Sequence, residues 1–107
     1  MMDVTAQERV YPCDKVLMIN AIGDIIDEFD GTITLSDTER GRLNAKLKNR
    51  DNFVNYCFSV IQEDNICRLR IETGDKTTPP EKLARENRQI ETLFSFLDEM
   101  MKHVFDT

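Results

Sequence analysis

The run Ile26-Asp27-Glu28-Phe29-Asp30-Gly31-Thr32-Ile33-Thr34-Leu35-Ser36-Asp37 spaces carboxylates around a glycine much as a calcium loop does. Such a loop wants oxygen ligands at its first, third, fifth and twelfth positions, with glycine at the sixth. Aligned on Gly31, Glu28 falls third, Asp30 fifth, Ile33 eighth and Asp37 twelfth. The first position falls on Ile26, which cannot ligate, and Asp37 is shorter than the Glu that normally reaches the ion with both oxygens. Ile26 is also needed by the buried stripe of a helix. The stretch therefore reads as an acidic helix end, a glycine and the start of a strand, and no metal site is expected. Asp24, Asp27, Glu28 and Asp30 could in principle work as an acid–base pair. Asp24 and Asp27, however, fall on the helix's polar side, without the burial or partner that separates two carboxyl pKa values.

The other reactive side chains are few. His103 is the only histidine, placed in the last turn of a C-terminal helix, where positive charge suits the helix dipole. Cys13, Cys57 and Cys67 are odd in number and far apart, which gives neither a disulfide framework nor a zinc site. They read as small apolar side chains in a reducing cytoplasm. No GxGxxG, P-loop or CxxC occurs, and no serine or cysteine has the context of a nucleophile. An enzyme is not expected, nor a cofactor.

The elements that must position any site follow from periodicity. Residues 1–6 read as a tail, and a single α+β domain fills residues 7–107. Gln7 to Pro12 forms a first strand with Val10 inward, ended by Pro12. Asp14 caps a helix from Lys15 to about Asp30, whose apolar stripe is Val16, Ile19, Ile22, Ile26 and Phe29, with Leu17 and Ile25 beside it. Gly23 interrupts it at a cost of about 1 kcal/mol, and Gly31 stops it. The period then changes to two. Ile33 and Leu35 alternate with threonine and serine; Leu43, Ala45 and Leu47 alternate with Arg42, Asn44, Lys46 and Lys48. Ser36-Asp37-Thr38-Glu39 is also a capping box, so a helix over residues 37–49 competes; Gly41 in its interior and the alternation favour the strand. The run Phe53 to Ile61 is the richest strand, with Val54, Tyr56, Phe58 and Val60 on one face. Ile66 to Glu72 returns with Cys67, Leu69 and Ile71 inward. Thr78-Pro79-Pro80-Glu81 then opens a long helix with Leu83, Ile90, Leu97 and Val104 every seven residues, Phe94 and Met101 between them, and Leu93 and Met100 widening the stripe. Its polar first half, EKLARENRQ, is expected to project past the sheet.

These assignments give the order β-α-β-β-β-β-α: a five-stranded antiparallel sheet with two helices on one face and a long C-terminal helix. Arg42, Asn44, Lys46, Lys48, Asn55, Ser59, Arg68 and Arg70 then point away from the helices. The result is a basic sheet face opposite acidic helices, in a chain whose net charge is -6. That face is the candidate binding surface for an anion or a nucleic acid, against the plainer alternative of a wetted sheet. Phe53, Cys57 and Ile61 share the outward side and favour contact with another protein or a second copy.

The element order resembles one repeat of the TATA-box-binding-protein fold and, more loosely, the helix-grip domains, over residues 7–105. The resemblance implies helices on one side of a curved sheet and a free face on the other. Nucleic-acid-reading members carry basic residues there, matched in charge by Arg42, Lys46, Lys48, Arg68 and Arg70. No pair of phenylalanines is placed as their wedges. Net negative charge argues against broad nucleic-acid or membrane affinity. The start MMDVTAQERV lacks a basic segment followed by an apolar run, so no signal peptide is expected. The expectation is a cytoplasmic, non-enzymatic binding or assembly module, a homo-oligomer or a partner of another protein, with anion or nucleic-acid binding by the basic sheet face as the alternative and an enzyme with an unrecognised pocket as a third reading.

Overall fold

The structure, a computed structural model, describes residues 4–74 and 79–105. The chain forms β1 (Val4–Tyr11), α1 (Lys15–Glu28), β2 (Thr32–Asp37), β3 (Arg42–Asn49), β4 (Asn52–Glu63), β5 (Ile66–Gly74) and α2 (Pro80–Phe105). The strands make one antiparallel sheet in the order β1-β5-β4-β3-β2. The first strand thus closes one edge beside the last, and the hairpins between them build the rest. Residues 42–49 are a strand, preceded by a turn at 38–41 in which Gly41 has φ 70. A side chain at Gly41 would both strain that backbone and put its Cβ 2.2 Å from the Val60 carbonyl oxygen.

Both helices lie on one face. Leu43, Ala45 and Leu47 of β3, Val54 to Val60 in alternation on β4, and Cys67, Leu69 and Ile71 of β5 join Met18, Ile22, Ile25 and Ile26 of α1 in one core. From α2 come Ile90, Leu93, Phe94 and Leu97. Period two in the strands and steps of three and four in the helices aim these side chains at a common layer. Asp14 caps α1, its carboxylate accepting from the Leu17 N–H at 2.8 Å. The residue in left-handed conformation at the exit is Asp30, φ 54, rather than Gly31. Gly31 is there for space: a Cβ would stand 2.2 Å from Leu47 Cδ2.

Several expectations are corrected. The first strand begins at Val4, and its inward residue at the end is Tyr11; Val10 points away from the helices and is 51% exposed. The stripe of α1 is turned by about one residue, so Val16 is 69% exposed while Met18 and Ala21 are buried. A helix packed along one edge of its stripe leaves the other edge wet. Ile33 and Leu35 are both exposed, because a bulge between them shifts the register of an edge strand. Gly23 faces open space, with nothing within 4 Å of an added Cβ. Gly23→Ala is therefore expected to stabilise the fold by about 1 kcal/mol and raise Tm by about 4 °C or more in a thermal melt.

The polar half of α2 does not project. Asn87 accepts hydrogen bonds from Thr5 Oγ1 and Gln7 Nε2, each at 2.8 Å. Gln89 donates to the Lys48 carbonyl at 3.0 Å and accepts from Asn49 at 3.1 Å and from the Tyr56 hydroxyl. These bonds hold a polar helix against the sheet. Thr78 of the expected capping box lies outside the described residues, and so does the side chain of His103; the helix opens at Pro80, where the Leu83 N–H donates to the Pro79 carbonyl at 3.0 Å.

Candidate anion-binding groove

Antiparallel partners share a face of the sheet, so the outer face reads as rows. Lys48 stands opposite Phe53, and Lys46 opposite Asn55. Asn44, Cys57, Glu72 and Ala6 follow, then Arg42, Ser59, Arg70 and Glu8, then Ile61, Arg68 and Val10. Every outward position expected from the sequence is outward.

The charge on that face differs from expectation. Arg68 pairs with Glu63 at 3.4 Å, and Arg70 with Glu8 at 3.4 Å and Glu72 at 3.3 Å. Strands β1, β4 and β5 bring their own carboxylates to the outer face, so its β5 side is neutralised. A hollow of about 380 Å³ crosses the middle, lined by Asn44, Asn55, Cys57 and Glu72 among others, with no cation. Arg42, Lys46 and Lys48 on β3 keep their charge, with no ion pair among the described residues.

Five cations without an ion pair among the described residues gather at one end of the sheet, where the β3–β4 turn meets α2. Asn49 and Asn52 close a two-residue turn, in which Arg50 has φ 60. Lys82, Arg85 and Arg88 recur every three residues on α2 and so occupy one side of it. The Gln89 bonds to Lys48 and Asn49 bring that side against the turn. Lys48, Arg50, Arg85 and Arg88 line one hollow of about 460 Å³, with Phe29, Asn49, Gln89 and Thr92. A small hollow of about 20 Å³, lined by Arg50, Arg85, Lys82 and Glu86, shares residues with it and with a third, of about 220 Å³, lined by Lys82, Glu86 and Phe53. Glu86, buried at 3% exposure, is the acid among these lining residues; Asp51 stands at the tip of the turn. None of the five cations makes an ion pair among the described residues. An anion entering here would meet these five cationic residues, with the Glu86 carboxylate among the lining of two of the three hollows.

The buried thiols and phenols belong to the hydrophobic core. Among the described residues, no group of three or more His, Cys, Asp and Glu side chains comes together as metal ligands. Asp24, Asp27, Glu28 and Asp30 are exposed around the end of α1. Burial pushes the Cys13 thiol up to about 11, helped by Cys67 beside it, and burial raises Cys67 in the same direction. The Tyr11 and Tyr56 hydroxyls are raised as well, each first by burial; Tyr11 also donates to Asp98 at 2.8 Å. These groups stay protonated in the fold while the unfolded chain begins to ionise near pH 9. Their contribution to stability is thus full below pH 9 and is lost as pH rises toward the folded values. Tm is expected to be flat up to pH 9 and to fall by pH 11, with Cys13→Ala removing part of the fall.

No family model and no curated protein matches the chain. Its fold is similar to the crystal structure of Ara h 8.0201, with a TM-score of 0.66 and 8% identity over 94% of this chain and 98% of that one. A crystal structure of TTHA0849 from Thermus thermophilus aligns at a TM-score of 0.48 and 12% identity, over 95% and 99% of the two chains. What is shared with Ara h 8.0201 is an α+β fold with an antiparallel sheet and a C-terminal helix. The TATA-box-binding repeat suggested by element order is not among these likenesses. No helix among the described residues is long and apolar enough to cross a membrane.

Proposed function

We propose that the chain is a non-enzymatic binding module that holds an anionic ligand in the groove between the β3–β4 turn and α2. The observation that carries this is the group of five cations around three hollows that share lining residues, with no ion-pair partner among the described residues, in a chain of net charge -6. Acids outnumber bases 20 to 14 over the chain, so attraction for an anion has to be local. The interior is filled by Tyr56, Phe58, Phe94 and the isoleucines, which favours binding from outside. Arg42 and Lys46 extend the cationic surface along β3; Arg68 and Arg70, held by carboxylates, contribute little. Three free cysteines fit a reducing cytoplasm as its location. Isothermal titration with inorganic tripolyphosphate tests the proposal. Saturable binding that weakens as salt rises from about 50 to about 200 mM is the expected result. Absence of binding at the lower salt contradicts it.

A second copy of the chain is a further proposed partner, favoured by the exposed Val10 and Ile61, which flank Arg68 on the outer face. Light scattering should then give a dimer mass insensitive to salt and reduced to the monomer by Ile61→Asp. A monomer under every condition rules this partner out.

A further inference from the structure

Resting on that anion-binding reading, we infer that the groove's occupant is a single-stranded nucleic acid. Its phosphates lie along Lys48, Arg50, Lys82, Arg85 and Arg88, and one of its bases stacks on Phe53. Three features select this class over a small phosphorylated ligand.

The first is extent. The hollow at Arg88 and the hollow at Phe53 share lining residues with the small one, Asn49, Arg50 and Arg85 on one side and Lys82, Val54 and the buried Glu86 on the other. The cations therefore follow a track rather than ring a point, which suits a chain of charges. The second is the aromatic ring. Phe53 is 67% exposed on the outer face of β4, at the end of the strand that carries the turn, while Ile61 is 53% exposed toward the other end. It stands opposite Lys48 across the β3–β4 ladder and lines the same hollow as Lys82. An open aromatic face beside cations is the combination that binds unpaired bases without regard to sequence. A duplex keeps its bases stacked on each other and has no use for the ring. The third is the supply of amides. Asn52 lines the small hollow and Asn55 the one at Phe53, each offering donors and acceptors to a base edge.

The test is fluorescence anisotropy with a short labelled oligothymidylate, run beside the tripolyphosphate titration. Phe53 is exposed, so Phe53→Ala leaves the core untouched. The oligonucleotide should bind with a log–log salt slope of about -2 to -3, as expected for three or four phosphate contacts on a single strand. Phe53→Ala should weaken it on the order of tenfold and weaken binding of tripolyphosphate, which has no base to stack, by far less. If tripolyphosphate binds but Phe53→Ala leaves the oligonucleotide affinity where it was, or a duplex of the same length binds as well, the groove is an anion site and the single-strand inference falls alone. If neither probe binds, the anion-binding reading falls with it.

Discussion

Reversing two charges on α2, Arg85→Glu with Arg88→Glu, is expected to weaken tripolyphosphate binding on the order of 100-fold, about 2.8 kcal/mol at 1.4 kcal/mol per tenfold. Both arginines line the larger hollow together with Lys48 and Arg50. Each reversal removes an attraction and installs a repulsion where the remaining charges face the same space. Arg88 is exposed and Arg85 half-buried, neither belongs to the hydrophobic core, and neither makes an ion pair among the described residues, so the fold should survive the change. The same double reversal at Arg68 and Arg70 is the matched control. Those two already face Glu63, Glu8 and Glu72 across 3.3–3.4 Å, and their loss should alter binding by less than about threefold. Equal losses at the two places would mean that overall charge, rather than the groove, sets the affinity.

Phe94→Ala is expected to cost about 4 kcal/mol of stability, read from the shift of the urea midpoint at unchanged slope. Phe94 is fully buried at the centre of α2's apolar stripe. Its ring also carries the Arg9 guanidinium 4.9 Å above it, and Arg9 is tied to Asp98, which accepts from Tyr11. Removing the ring therefore opens a cavity and takes the aromatic face from beneath Arg9 at the seam between α2 and β1. A domain of this size is stable by roughly 5–15 kcal/mol, so the loss is a large part of the whole. Phe96, two residues on, is 41% exposed and touches Phe29 edge-on at 5.1 Å. Phe96→Ala should cost about 1 kcal/mol, which separates core filling from aromatic content.

The core was legible in the sequence because burial there follows a simple period. Leu43, Ala45 and Leu47, and Val54 to Val60 in alternation, need only a strand with one dry face. Ile90, Leu93, Phe94 and Leu97 need only a helix with one dry stripe. Edges obey weaker rules. Val10, Ile33 and Leu35 have apolar side chains on edge strands, where no neighbouring strand covers one flank, and periodicity alone cannot say that the cover is missing. Val16 lies at the margin of a stripe whose limits are set by how α1 is rolled on the sheet.

The groove was hidden for a different reason. Lys82, Arg85 and Arg88 stood in the sequence at steps of three, a signal for one helix side, but they belong to a stretch that looks free to project. What seats that stretch is a set of amide hydrogen bonds, Asn87 to β1 and Gln89 to β3 and β4. Such bonds leave no hydrophobic trace. The outer-face cations were placed correctly by alternation, yet their electrostatic value depended on register. The pairing of Arg70 with Glu8, residues 62 apart, becomes visible only once the register of β1 on β5 is known.

Chemical-shift mapping by NMR with tripolyphosphate tests the central claim most directly, since it locates the anion without altering the chain. The groove predicts a saturable shift of backbone amides at residues 48–50 and 82–92, with the rows around Cys57, Ser59 and Arg70 unmoved. Shifts centred on those outer rows, or none anywhere on the chain, would contradict it.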